Sequence, residues 1–166
     1  SWKTLMEILP YNNPVYIVSL KGSQLRQILE LSAGALKGGE NDHYDPNTRP
    51  HTGAFLQLSG LRVEYSLKGE PSLVEADGKL IRWGNRLRSL SVFSDGEWRP
   101  LDDDRVYTVA VNSWTAGGGD RLFVFAEGTT EKTDIRDIDA VAEYLMSRKD
   151  KTVRFGKDGR IRITDS

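Results

Sequence analysis

The chain has no cysteine in its 166 residues, which excludes disulfides and thiolate chemistry but does not by itself assign a compartment. It also lacks a surplus of positive charge. Its 23 Lys and Arg stand against 24 Asp and Glu, so nothing drives non-specific nucleic-acid binding, and no nucleic-acid partner is expected. Long apolar runs are missing: stretches such as Val15 to Leu20 are far too short to cross a bilayer, and no membrane insertion is expected. No charged-then-apolar leader opens the chain, so any secretion signal is expected to have been removed or to lie upstream. Histidine is scarce. His43 and His51 share one polar stretch with Asp42 and Asp45, without metal-ligand spacing, and read as exposed loop residues; no metal site is expected. No Ser-His-Asp or Cys-His set can be argued.

What is present suits one domain over residues 1–166, of ordinary globular composition. Trp2, Leu5, Met6 and Leu9 recur at helical spacing until Pro10 stops the helix. Val15 to Leu20 reads as a buried strand. Ser23 is a plausible N-cap for a second helix with Leu25, Ile28, Leu29 and Leu31 inward. Lys37 to Thr52, with Gly, Asp, Asn and Pro and no period, predicts a long surface loop. Alternation then predicts strands over Leu61 to Tyr65, around Leu90 and Val92, across the Asp95-Gly96 turn to Trp98, and over Val106 to Val111. Ile138, Val141, Ala142 and Leu145 mark a late helix. A terminal hairpin is expected from Thr152 to Phe155 and Arg160 to Thr164 across Asp158-Gly159. Helices and strands mix without strict βαβ alternation, which predicts an α+β fold: a mixed β-sheet domain with packed helices. A chain that starts almost at once in helix reads as a domain excised from a larger protein, although a naturally short protein could begin the same way.

Two segments carry candidate chemistry. Asn112 to Asp120 follows an apolar strand directly; its glycines, Gly117, Gly118 and Gly119, allow close backbone approach to a ligand. Asp120 offers a carboxylate that can accept hydrogen bonds from vicinal hydroxyls such as those of a ribose, and Trp114 a flat face for a base. On composition alone the same stretch also reads as a flexible turn with an Asp cap and a core Trp. Leu9 to Pro14 places Tyr11 and Asn13 at a boundary between elements, and is equally readable as a Pro/Asn turn with a surface Tyr.

Four motifs occur in register: Leu9-Pro10-Tyr11-Asn12-Asn13, Leu20-Lys21-Gly22-Ser23-Gln24-Leu25, the run from Gly53 through Phe55, Gln57 and Gly60 to Leu61, and the loop from Trp114 to Asp120. In this order they resemble the C-terminal domain of the 5′-nucleotidase family, which includes ecto-5′-nucleotidase and bacterial UDP-sugar hydrolases. The resemblance implies a base sandwiched between Tyr11 and Trp114, where the family usually has Phe at both positions. It implies that Asn13 bonds the base edge, that Asp120 holds the ribose hydroxyls, and that Gly53, Gly118 and Gly119 complete the substrate-binding set. Asn12 stands where the family usually has Gly. Arg121 is expected to be solvated, and Phe55, Leu56 and Leu58 to be sheet core.

The resemblance further implies that hydrolysis belongs elsewhere. Two divalent metal ions are expected in an N-terminal metallophosphoesterase domain of the same chain, and the phosphate-binding Arg of the family also lies outside this sequence. The expected partners are that domain and a nucleotide or nucleoside, the expected location is extracytoplasmic, and the chain alone is expected to bind without cleaving. No catalytic residue and no cofactor is assigned to it. A cyclic-nucleotide phosphodiesterase/3′-nucleotidase, a UDP-sugar hydrolase, an NAD pyrophosphatase and a stand-alone nucleoside-binding module remain alternatives for the parent.

Overall fold

The computed structural model describes residues 1–38, 42–153 and 156–165. Helix α1 (Trp2–Ile8) leads to strand β1 (Pro14–Lys21) and helix α2 (Gly22–Ala33). After the long loop come β2 (Leu61–Ser66), a short ribbon of β3 (Leu73–Val74) and β4 (Leu80–Arg82), the hairpin of β5 (Leu87–Ser94) and β6 (Glu97–Pro100), and β7 (Val106–Asn112). A one-turn helix α3 (Ser113–Ala116), two 3₁₀ turns, β8 (Thr129–Arg136), α4 (Asp137–Ser147) and β9 (Ile161–Thr164) complete the order. The fold is α+β, built on mixed sheets. Three strands in the order β7-β1-β8 are antiparallel; a second sheet runs β6-β5-β2-β9, with only the β2–β9 pair parallel. Among the described residues no helix is long and apolar enough to cross a membrane.

The core forms around α2. This helix packs against β1, β5 and the 3₁₀ turn Phe123–Glu127, and every residue from Ile28 to Ala33 is buried. Each fully buried Leu or Ile there contributes about 1.5–3 kcal/mol, and the two buried polar residues are satisfied, Glu30 accepting from the Arg86 and Leu87 N–H groups and Ser32 from that of Leu56. Val18 and Leu20 from β1, Val63 and Tyr65 from β2, Leu90 from β5, and Leu122, Val124 and Phe125 close around it. Phe55, Leu56 and Leu58 pack at the margin of this core, with Phe55 edge-on to Tyr65 at a centroid separation of 6.1 Å. Burial pushes the Tyr65 phenol above its ordinary range, and the charge of Glu30 adds to the shift.

Several sequence expectations need correction. Helix α2 begins at Gly22, one residue before the predicted Ser23 cap. Its free N–H groups are met without a hydroxyl: Gly22 donates to the Arg105 carbonyl at 2.9 Å and Ser23 to that of Asp103 at 3.0 Å. The loop from Lys37 to Thr52 is not all surface, because Arg49 and Pro50 are buried. The expected terminal hairpin is only partly within the described residues. Thr152 and Val153 are not in a strand, Arg154 and Phe155 lie outside the described residues, and β9 pairs with the open edge of β2. Helix α4 forms, but only Ile138 of its predicted inner face is buried, because the helix rests on β8 and α1 at the periphery. The same holds for α1, which has no buried residue.

Two arginines hold the loop to the core. Arg49 Nε donates to the Gly34 carbonyl at 2.9 Å, and Arg86 Nη1 to those of Ala33 and Leu36 at 3.3 and 2.5 Å, so both guanidiniums meet the carbonyl end of α2. Asp42 bridges them, with Oδ1 2.5 Å from Arg49 Nη1 and Oδ2 3.0 Å from Arg86 Nη2. Burial pushes the Asp42 carboxyl up, but hydrogen bonds from the Gly38 N–H and Arg86, with the Arg49 charge, outweigh it and hold the group below its ordinary value.

Candidate functional site

The register of β1 against β7 builds the site. Val15 faces Asn112 across an antiparallel pair, so the turn entering β1 and the loop leaving β7 lie at the same end of the sheet. Tyr11 in the first and Trp114 in the second therefore open onto one cleft of about 620 Å³. Asn13, His51, Gly53, Asn112 and Asp120 line it with them. The volume suits a small organic ligand. Tyr11 is 85% exposed and Trp114 59%, so neither ring is part of the core.

The Tyr11 turn is anchored from behind by β8 and α4. The Asn13 N–H donates to Asp137 Oδ2 at 3.2 Å, the Asp137 N–H returns a bond to the Asn13 carbonyl at 2.9 Å, and Arg136 Nη1 donates to the Asn12 carbonyl at 3.1 Å. Asn12 takes a left-handed φ of 47°, which glycine adopts freely and asparagine tolerates better than most residues. Across the cleft, Asn112 caps α3 by accepting the Thr115 N–H at 2.8 Å, which sets the turn that presents Trp114.

Two glycines seat the rings of the site. A Cβ on Gly119 would lie 2.3–2.5 Å from Nε1, Cε2 and Cδ1 of Trp114, so the indole rests directly on that backbone. A Cβ on Gly53 would come within 2.9 Å of the His51 ring, and the Gly53 N–H donates to His51 Nδ1 at 3.1 Å. Gly118, at φ 84°, and Gly119 line an adjoining depression with the Ala76-Asp77-Gly78 tip of the β3–β4 ribbon and not the main cleft; Trp114, Asp120 and His51 border both.

After Gly119 the chain holds two successive non-glycine residues in left-handed conformation, Asp120 at φ 56° and Arg121 at φ 66°. Such geometry costs roughly 1 kcal/mol or more per residue and persists only when the surroundings fix it. Arg121 supplies that fixing. Its Nη1 donates to the Arg49 carbonyl at 2.5 Å and its Nη2 to the Pro46 carbonyl at 3.0 Å, so it is not simply solvated as expected but ties the glycine loop to the 42–52 loop. On the other side, His51 Nε2 lies 2.9 Å from Asp120 Oδ1.

His51 and Asn112 are the cleft residues that reasoning from sequence missed. The signal for Asn112 was available, as an N-cap residue type at the end of an apolar strand. His51 carries none, since only the folding back of its loop brings it to Asp120. Among the described residues no group of three or more His, Asp or Glu side chains is placed to hold a metal ion, and the His51–Asp120 pair supplies only two donors. These residues do not fit a dimetal centre.

Comparison with known proteins gives the chain a family. Residues 1–127 match the family described as 5′-nucleotidase, C-terminal domain. The 5′-nucleotidase of Mus musculus is 30% identical across 99% of this chain, which covers 25% of that protein. The crystal structure of a 5′-nucleotidase precursor from Thermus thermophilus superposes over the whole chain with a TM-score of 0.77 at 28% identity, and the chain covers 28% of it. The NAD nucleotidase of Haemophilus influenzae shares the fold, with a TM-score of 0.71 at 23% identity over 99% of this chain and 26% of its own. The chain thus spans about a quarter of the length of these relatives, and on its matching residues it belongs to the 5′-nucleotidase C-terminal domain family.

Proposed function

We propose that this chain is the nucleoside-recognition domain of a 5′-nucleotidase-type hydrolase. The observation that carries the reading is the meeting of Tyr11, Asn13, Trp114 and Asp120 in one open cleft, with both aromatic rings exposed. A base enters between Tyr11 and Trp114, each face contributing about 1–3 kcal/mol. Asn13 meets the base edge, Asp120 accepts from the ribose hydroxyls, and Gly53 lines the cleft beside them, while Gly119 seats the Trp114 ring from the adjoining depression.

Bond cleavage is assigned to an N-terminal metallophosphoesterase domain, which would hold two divalent ions and supply the phosphoester hydrolysis. This chain selects the nucleotide and carries it to that centre. The parent is placed outside the cytoplasm, in nucleotide catabolism.

The test is an NMR titration of the chain with adenosine, AMP and 2′-deoxyadenosine. Adenosine and AMP should bind alike, in the millimolar to high-micromolar range, since the phosphate meets none of the proposed contacts. Shifts should appear in the Tyr11 turn and the Gly117–Asp120 loop, and Trp114→Ala should abolish them in a folded protein. Asp120→Asn should weaken adenosine more than its 2′-deoxy analogue. Silence of both segments at tens of millimolar adenosine would sink the reading. So would metal-dependent phosphate release from AMP by the repurified chain with Mn²⁺, Co²⁺ or Zn²⁺, which would place the chemistry here.

A further inference from the structure

His51 is 61% exposed, belongs to no regular element, and still makes two directed contacts. Its Nδ1 accepts the Gly53 N–H at 3.1 Å, so that nitrogen's lone pair is occupied and cannot carry the proton. In the neutral ring the proton therefore sits on Nε2, which faces Asp120 Oδ1 at 2.9 Å. Among the described residues His51 is the polar partner of the Asp120 side chain. The Asp120 carboxylate stands at the rim of the cleft, and this contact fixes the position of one of its oxygens.

From this geometry we infer that His51 is a positioning residue: it holds one oxygen of Asp120 and so aims the other at the sugar. The inference rests on the nucleoside reading above and adds to it the source of sugar selectivity. A carboxylate has about four acceptor positions, and the imidazole takes one at Oδ1, leaving Oδ2 for a ribose hydroxyl. Gly53 is part of the device, since any side chain there would push the imidazole off its seat. The contact also explains why the loop ending at Thr52 is tied to the core by Arg49 and to the glycine loop by Arg121: it delivers His51 from a distant part of the sequence.

The experiment compares adenosine with 2′-deoxyadenosine on the wild-type chain, His51→Ala and His51→Gln. One hydrogen bond to a charged group should make wild type prefer the ribonucleoside by about tenfold. His51→Ala should cut that preference to about twofold or less, with the base-induced shifts at Tyr11 and Trp114 kept. His51→Gln should restore most of it, because the glutamine amide can donate to Asp120 where Nε2–H did. In the ligand-free protein the imidazole ¹⁵N shifts should report the Nε2–H tautomer.

Retention of the full preference in His51→Ala would overturn the inference and leave the nucleoside site standing. A His51→Gln variant as poor as His51→Ala would trace the effect to the bulk of the ring and overturn it equally, as would an Nδ1–H tautomer. If wild type shows no response to adenosine at either aromatic, the nucleoside site itself fails and the inference with it. Matching thermal melts of the three proteins would establish that the comparison is between folded chains.

Discussion

Replacing Gly119 with alanine separates binding from folding at a single methyl group. That methyl would sit 2.3 Å from Trp114 Nε1, 2.4 Å from Cε2 and 2.5 Å from Cδ1, where non-bonded carbon contacts settle near ~3.5–4.0 Å. The indole must therefore retreat by more than about 1 Å. Little resists the movement, because Trp114 is 59% exposed and only Ala116 of its short helix is buried. The backbone at Gly119 is not left-handed, so alanine adds no strain of its own, and the lost chain entropy of the unfolded state stabilises by up to ~1 kcal/mol. Thermal stability should hold or rise slightly. Adenosine affinity should fall by the worth of one stacking face, about 1–3 kcal/mol, or roughly 5- to 150-fold. Parallel thermal melts and adenosine titrations followed by NMR read both quantities. Wild-type affinity in Gly119→Ala would show that Trp114 is not a stacking face. A collapse of stability would show that the indole and its loop serve the fold.

Asp42→Ala should cost about 3–5 kcal/mol in a denaturant titration, since it leaves Arg49 and Arg86 buried without their shared counter-charge. The Asp42 carboxyl is held below its ordinary value in the folded state, so its contribution is whole above about pH 4, where the unfolded group is also ionised, and is lost as pH falls through the folded value. The stability gap between wild type and Asp42→Ala should therefore narrow in acid; a gap independent of pH down to acid unfolding would refute this. Arg121→Ala removes the donors to the Arg49 and Pro46 carbonyls and should cost about 1–3 kcal/mol and weaken adenosine as well, measured by melt and titration. Unchanged binding would show that the two loops hold their geometry independently.

Local pattern was enough for much of this protein. The period of Trp2 to Leu9 broken by Pro10, the β-branched run of β1, the alternation of β2 and of the β5–β6 hairpin around Asp95-Gly96, and the apolar run of β7 each report a backbone preference settled by neighbours in sequence. So do the residue types of the site: an aromatic in a turn, and a Trp and an Asp around a glycine loop. Tertiary structure decided the rest. Strand β8 is a run of Thr and charged residues with no apolar alternation, and it is a strand only because β1 offers it an edge. For β9, the partner seen is β2, 98 positions earlier in sequence at the Val63–Ile161 pair, which no local pattern announces. Arg49 looked like loop surface because burial of a guanidinium depends on carbonyls and a carboxylate gathered from elsewhere. Trp114 became half of a cleft through the β1–β7 register, and His51 entered it through the return of a loop. A sequence states what each side chain can do; which groups meet is settled by long-range pairing, and the chemistry of this site lies in those meetings.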